Sequence, residues 1–340
     1  MTSLNRATGG NRMKVALIGL GSVGRGVAEM IHKKNPGITI TGIADSKSGL
    51  ISNGGIDIAA VLENKRVNGI CGEVGISATD VIKKAEYDVL IEVTPTNALT
   101  GEPALDYIRA ALERKKHVVT SNKGPIALAY HELSALAKKN GVAFRYEATV
   151  GGAIPIMHTI EDGLSGNEIL AIYGVLNGTC NYIITRMAAE GLTYEQALME
   201  ARELGYAEAD PTYDVKGIDA AIKLVILVNT IWGNGIKLSD VDMTGIDLLT
   251  PDALRLAEEG DSTIRLIAEA IPRKKILRVS PRLIEKGHPL VLEGTLNALT
   301  LETDMAKEIT LIGKGAGSIE TASAILGDIL YICNHYGKRA

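Results

Sequence analysis

Residues 13–34 read MKVALIGLGSVGRGVAEMIHKK. A short run, apolar but for Lys14, leads into Gly19, Gly21 and Gly24 in GxGxxG spacing, and a helical pattern follows. A buried strand, a tight turn and a helix in this order are the context that gives the three glycines their meaning. The first permits the bend, the second lets backbone approach a pyrophosphate and the third lets helix pack on strand. The helix start, at Ser22 and Val23, offers unpaired N–H groups to the phosphates. The stretch predicts a Rossmann-type, doubly wound α/β sheet that binds a dinucleotide.

Outward from this turn, residues 1–12 (MTSLNRATGGNR) have no apolar core of a signal peptide and read as a disordered tail, or as an over-long start with Met13 the true beginning. Downstream, ITITGIAD ends a second strand at Asp45, about 20 residues past the last glycine, where an acid accepts hydrogen bonds from a ribose and favours NAD. The same aspartate could instead cap its own turn, and Ser46 and Lys47 behind it suit the extra phosphate of NADP, so the cofactor is NAD or NADP. YDVLIEVTPTN (residues 87–97) is read as the third strand of the unit, its exit at Thr94 lying beside the nicotinamide. HVVTSNKGPIA (residues 117–127) is a further strand, and Lys123 at its carboxyl end falls where open parallel sheets bind ligand. VAFRYEATVGGAIPI (residues 142–156) reads as another strand running into a glycine bend. There Glu147 and neighbouring backbone carbonyls suit a hard cation with oxygen ligands, although a plain turn fits as well.

A chain of 340 residues, 46% hydrophobic, is long enough for two domains and has the composition of a folded enzyme. A net charge of −4 with scattered basic residues gives no stripe for nucleic acid. No apolar run reaches the roughly 20 residues of a membrane span. Three cysteines without CxxC spacing argue against a disulfide framework or thiolate zinc site and suit a cytoplasmic location.

Residues 157–310 carry no second GxGxxG and read as an α+β domain with helices at 193–204 and 216–231. The second of these is apolar on nearly every side from Ala220 onward, yet it holds Asp219 and Lys223 four residues apart on one face. A satisfied internal ion pair is one explanation. A catalytic pair is the other, since burial changes how readily a lysine gives up its proton and an adjacent carboxylate orients it. Glu208, Asp210 and Asp214 precede the helix, more carboxylate than one pair uses, and suggest a polar pocket for a small zwitterion. In LNGTCNYI (residues 176–183), Gly178 and Thr179 can present N–H and hydroxyl groups to a carboxylate, while Cys180, without a partner histidine in reach, reads as a small buried residue. TLIGKGAGSIETASAILGDILYI, from Thr310, gives a last glycine turn and helix. They are expected to return to the nucleotide sheet and bring Gly315 close to the nicotinamide. The division is therefore 13–147 with 311–340 for the dinucleotide and 148–310 for substrate binding and dimerisation.

GLGSVG, SNKGP, YEATVGGAIPI, LNGTCNYI and LGYAEADPTYDVKGIDAAIKL, in this order, closely resemble homoserine dehydrogenase, and the resemblance covers nearly everything from Met13. It implies NAD(P)-dependent interconversion of L-aspartate 4-semialdehyde and L-homoserine, in threonine, methionine and isoleucine biosynthesis. By matching positions it implies a catalytic pair at Lys223 and Asp219, a strand-end lysine at Lys123, and substrate groups at Gly178, Thr179, Tyr206, Glu208 and Asp214. It also implies a cation site, sodium or potassium, at Glu147, Val150, Gly152 and Ile154, and a homodimer or homotetramer. Where many members have Glu-Pro-Asp-Pro, this chain has Glu208-Ala209-Asp210-Pro211, and Ser46 stands where NADP users often have arginine. The chain ends at Ala340, so no appended regulatory domain is expected. Two other functions compete: a thiolate-dependent enzyme such as aspartate semialdehyde dehydrogenase, and a non-catalytic NAD(P) sensor.

Overall fold

The structure, a computed structural model, describes residues 13–336. The tail expected at residues 1–12 lies outside them. The chain forms two compact units, one running to Thr149 and resuming at Gly317, the other Val150–Ala316.

The first unit contains β1 (Met13–Ile18), α1 (Ser22–Lys34), β2 (Ile38–Ala44), β3 (Ser48–Ile51), α2 (Ile58–Asn68), β4 (Glu73–Val74), α3 (Ala78–Lys84) and β5 (Val89–Glu92). It continues through α4 (Ala104–Glu113), β6 (His117–Thr120), α5 (Lys123–Asn140) and β7 (Phe144–Arg145). Its sheet has the order β4-β3-β2-β1-β5-β6-β7, parallel from β2 to β7, with β3 and β4 added antiparallel at one edge. Both faces of β1 are buried: Val15 and Leu17 join one apolar cluster, Ala16 and Ile18 the other, as strict alternation in a sheet covered on both sides requires. The strand at residues 89–92 is not third in line beyond β2. It pairs with β1 on the opposite side, so the strand order reverses between β1 and β5, the position at which such sheets bind ligand.

The second unit comprises α6 (Ile156–His158), β8 (Ile169–Val175), α7 (Gly178–Glu190), α8 (Tyr194–Glu203), α9 (Thr212–Val215) and α10 (Ile218–Trp232). After these come β9 (Asp242–Met243), α11 (Pro251–Glu259), β10 (Ser262–Ile271), β11 (Ile276–Glu285), β12 (Leu296–Thr303) and β13 (Glu308–Lys314). Its sheet, β13-β12-β8-β10-β11-β9, is antiparallel except where β9 joins β11. In α10 every residue from Asp219 to Asn229 is buried, which is why its sequence is apolar all round.

Two expectations need correcting. Of the strand read as leading into the glycine bend within 142–156, only Phe144–Arg145 forms; a 3₁₀ turn, Glu147–Thr149, stands between it and the bend at Gly151 and Gly152. The cause lies far along the chain, in α12 (Ser318–Tyr336), which packs on α1 in the first unit. Its fully buried Asp328 accepts the Glu147 N–H at 3.0 Å and Arg145 Nε at 3.2 Å, and the Arg145 guanidinium lies 4.2 Å from the centre of the Tyr331 ring. A backbone N–H held by a carboxylate is not available to a strand ladder. The return to the first unit also comes later than residue 311, because β13 pairs with β12 as far as Lys314.

Candidate functional site

In the first unit the glycine turn is built as its spacing requires. Gly19 has φ +101°, and a Cβ there would come within 2.6 Å of the Val93 carbonyl oxygen; a Cβ on Gly24 would lie 2.0 Å from that of Gly19. Gly21 faces open space and is the N-cap of α1, with no side chain bonded to the first turn. The N–H groups at Ser22 and Val23 thus head a 13-residue helix behind a residue that adds no bulk, a donor set that fits a pyrophosphate.

Asp45 is occupied by its own turn. Its Oδ1 accepts the N–H groups of Lys47 and Ser48, each at 2.8 Å, and the Ser48 hydroxyl at 3.1 Å, while Oδ2 lies 2.5 Å from Lys65 Nζ. Burial pushes this carboxyl up, but Lys65 and the three turn donors outweigh it and hold the group below the ordinary aspartate value. Of the two roles read for Asp45, these bonds describe the turn cap.

Thr94 follows β5, and Lys123 opens α5 behind its N-cap Asn122, whose Oδ1 accepts the Gly124 N–H at 3.2 Å. A Cβ on Gly124 would lie 2.4 Å from the Asn97 carbonyl oxygen, so the two loops meet closely. Glu147 is buried in the 3₁₀ turn. Val150 and Ile154 are buried in the second unit, and Gly152 (φ +57°) backs onto Gly315. Gly315 itself is pressed on a neighbour in that unit, for a Cβ there would fall 2.1 Å from the Asn297 amide. Among the described residues no cluster of three or more His, Cys, Asp or Glu side chains is able to hold a metal.

The second unit gathers the other predicted residues around the start of two helices. Lys223 Nζ lies 2.7 Å from Asp219 Oδ2 and donates to the Leu176 carbonyl at 2.6 Å, with both side chains about nine-tenths buried. Asn177, not singled out from sequence, joins them. Its Nδ2 donates to Asp219 Oδ2 at 2.9 Å and to Asp214 Oδ1 at 2.6 Å, and its Oδ1 caps α7 by accepting the Cys180 N–H at 2.9 Å. An asparagine before a helical run is an N-cap signal, so the capping role was open to inspection; its grip on two carboxylates was not. Gly178 opens α7 where a Cβ would approach the Thr295 carbonyl oxygen to 2.6 Å, and the Thr179 hydroxyl donates to the Tyr206 carbonyl at 2.7 Å. Tyr206 and Glu208 are exposed. Asp210 binds the Thr212 N–H and hydroxyl, which lowers its carboxyl below the usual range. Burial, then the carboxylates of Asp214 and Asp219, raise the Cys180 thiol well above its ordinary value, and it donates to the Asp214 carbonyl at 3.1 Å. A protonated, fully buried thiol is no nucleophile.

A glycine turn fitted to a dinucleotide thus occurs in one chain with an acid-lined lysine–aspartate pair. Both parts of the chain match known families. Residues 19–147 match the family described as homoserine dehydrogenase, NAD binding domain, and residues 155–330 the family described as homoserine dehydrogenase. The chain belongs to the homoserine dehydrogenase family. The homoserine dehydrogenase of Methanocaldococcus jannaschii is 46% identical over 96% of this chain and 100% of its own length. The crystal structure of a putative homoserine dehydrogenase from Archaeoglobus fulgidus superposes with a TM-score of 0.89 at 47% identity, covering 94% of this chain and 99% of that one. A hyperthermophilic archaeal homoserine dehydrogenase in complex with NADPH gives 0.81 at 30% identity over 94% and 96%. The activity is therefore NAD(P)-dependent oxidoreduction between L-homoserine and L-aspartate 4-semialdehyde. Among the described residues no helix is long and apolar enough to cross a membrane.

Proposed function

We propose that Lys223 is the proton-transfer group of this homoserine dehydrogenase and that Asp219 holds it in place. The observation that carries this reading is the 2.7 Å pair whose aspartate is tied through Asn177 to Asp214. Hydride exchange at the substrate carbon is the chemistry a bound nicotinamide supplies. In the reducing direction the Lys223 ammonium hydrogen-bonds to the aldehyde oxygen and gives it a proton as negative charge develops there. In the oxidising direction the neutral amine takes the hydroxyl proton of homoserine. A cation fixed where charge appears only in the transition state contributes mainly to turnover.

Glu208 binds the substrate ammonium, Asp214 and Tyr206 line the same pocket, and Gly178 and Thr179 receive the carboxylate at the start of α7. Gly19, Gly21, Ser22, Val23 and Gly24 hold the pyrophosphate, with Thr94 and Lys123 toward the nicotinamide. Asp45 shapes the ribose end of the turn, and Gly315 belongs to the same cofactor reading. The test is oxidation of L-homoserine followed at about 340 nm with NAD and with NADP, for wild type, Lys223→Ala and Lys123→Ala. Near-normal turnover in the Lys223 variant, with loss in the Lys123 variant, would move the proton transfer to Lys123. Dependence of the rate on sodium or potassium tests a cation at Glu147, Val150, Gly152 and Ile154. Association into a homodimer or homotetramer belongs to the same reading, supported by the apolar Leu283 and Ile312 exposed on β11 and β13, and light scattering tests it.

A further inference from the structure

One fully buried carboxylate of the first unit has no part in the roles above. Glu92 ends β5, in register with Ile18 of β1 on one side and Thr120 of β6 on the other. It stands at the carboxyl ends of the three central strands. From these leave the glycine turn, the loop that begins at Thr94, and the turn that carries Asn122 and Lys123.

Its hydrogen bonds run to the second of these and to the end of the strand that feeds the third. The N–H of Thr94 donates to Glu92 Oε1 at 2.8 Å, the Thr94 hydroxyl donates to the same oxygen, and the Thr120 hydroxyl donates to Oε2 at 2.9 Å. The network continues without a break. The Asn122 N–H donates to Thr120 Oγ1 at 2.9 Å, and Asn122 Nδ2 donates to the Thr94 carbonyl at 3.2 Å, while Oδ1 of the same amide caps α5. One acid therefore accepts from the Thr94 loop and from the last residue of β6, and Asn122, bonded to both Thr120 and Thr94, closes the ring. Burial raises the Glu92 carboxyl, and the Thr94, Thr120 and Asn122 donors oppose that rise. Thr94 is half-buried at the base of its loop, whereas Pro95 and Thr96 beyond it are exposed, so the clamp fixes the point from which the exposed residues project.

We propose that Glu92 is a positioning residue for the nicotinamide cofactor: it sets the Thr94 loop and the Lys123 turn in fixed relation, and cofactor affinity depends on that relation. This rests on the reading of the Thr94 loop and the glycine turn as the cofactor site. Glu92→Gln keeps the shape of the side chain but turns one of its two acceptors into a donor, facing groups that already donate.

The experiment measures dissociation constants for NADH and NADPH by nicotinamide fluorescence, KM for L-homoserine, and the thermal midpoint, in wild type, Glu92→Gln, Thr94→Val and the double variant. Thr120→Val, which removes the donor to Oε2 without adding one, takes the place of Glu92→Gln should that variant not fold. The expected result is weakening of the tighter-binding nucleotide by about tenfold (~1.4 kcal/mol), with KM for homoserine within about twofold of wild type. The double variant should be weaker than wild type by clearly less than the product of the single effects, because both changes cut the same link. A lowered midpoint with unchanged nucleotide affinity, or fully multiplicative single effects, overturns the proposal. Failure of the wild type to bind either nucleotide would bring down the cofactor-site reading as well, whereas tight wild-type binding unaltered in Glu92→Gln overturns this inference alone.

Discussion

Two acid–lysine pairs can be set side by side. Asp45 and Lys65 stand 2.5 Å apart at the end of β2; Asp219 and Lys223 stand 2.7 Å apart in α10. Both aspartates are nearly enclosed, and each pair has a buried cysteine beside it. Length and burial alone would assign them the same job. Their surroundings differ. Around Asp45 the other donors come from the next few residues of its own turn, and the lysine also bonds the Gly69 carbonyl. Around Asp219 one donor is Asn177, more than forty positions away in sequence, which at the same time holds a second carboxylate and caps the start of α7. A pair satisfied largely by its own turn fixes backbone; the pair tied to other ionisable groups at a helix start is the one we propose for chemistry on a ligand.

The sharpest way to break this contrast is to remove each lysine. Lys223→Ala should lower kcat by roughly 10²–10⁴, the usual span for loss of a general acid–base group, with a smaller change in KM. Lys65→Ala should leave kcat within a few-fold while lowering stability by about 1–3 kcal/mol, because Asp45 stays buried without its ammonium partner. Steady-state kinetics and denaturant unfolding on both variants decide it. Equal losses of turnover would erase the distinction.

Asn177→Ala probes the link itself. It takes one donor from each of Asp214 and Asp219 and uncaps α7, so stability should fall by about 1–2 kcal/mol from the cap alone. Turnover should fall by about one order of magnitude as Asp219 loses its orientation. Asn177→Asp restores a cap but puts a third carboxylate beside two others. It should recover stability better than rate, and a variant that regained full rate would show that the amide link is dispensable.

On the Asp45 side the effect is one of pH. Because its carboxyl is held below the ordinary value near 3.8, the unfolded chain binds the proton more readily than the folded one. The stabilisation is fully present above about pH 4 and is lost as pH falls through the folded-state value. Asp45→Asn should therefore lower the thermal midpoint at neutral pH and flatten its decline below pH 4. Affinity for NAD and NADP should change less than about threefold; a larger loss would return the carboxylate to the ribose.

What could be read in the sequence follows the same division. The glycine turn was legible because two of its constraints are local: φ +101° at position 19 favours glycine, and a Cβ on Gly24 would lie 2.0 Å from the Gly19 carbonyl oxygen. The Asp219–Lys223 pair was legible because helical spacing alone puts i and i+4 together. Beyond their neighbours in the chain, Asp45, Glu92 and Asn177 have partners 20, 28 and 42 positions away, and no spacing rule reaches that far. The strand expected beyond Arg145 failed for the same reason, since the acid that captures the Glu147 N–H is 181 residues further on.

The smallest expected effect is an absence of one, and it separates the dehydrogenase chemistry from a thiolate mechanism. Cys71 lies beside the first pair, its N–H bonded to the Ser48 hydroxyl at 2.8 Å, and burial raises its thiol above the ordinary value. Cys180 lies beside the second, raised further by burial and by the carboxylates of Asp214 and Asp219. Cys333, on α12, is pushed up to about 11 by burial. A raised thiol value means less thiolate at any given pH, and only the thiolate reacts with alkylating reagents or attacks an aldehyde. Iodoacetamide at pH 8 should therefore leave homoserine oxidation unchanged, with mass spectrometry finding Cys71 and Cys180 unmodified in the folded protein. Inactivation paralleled by modification of Cys180 would make the pair in α10 an activator of a nucleophile, and its likeness to the pair at Asp45 would have to be argued afresh.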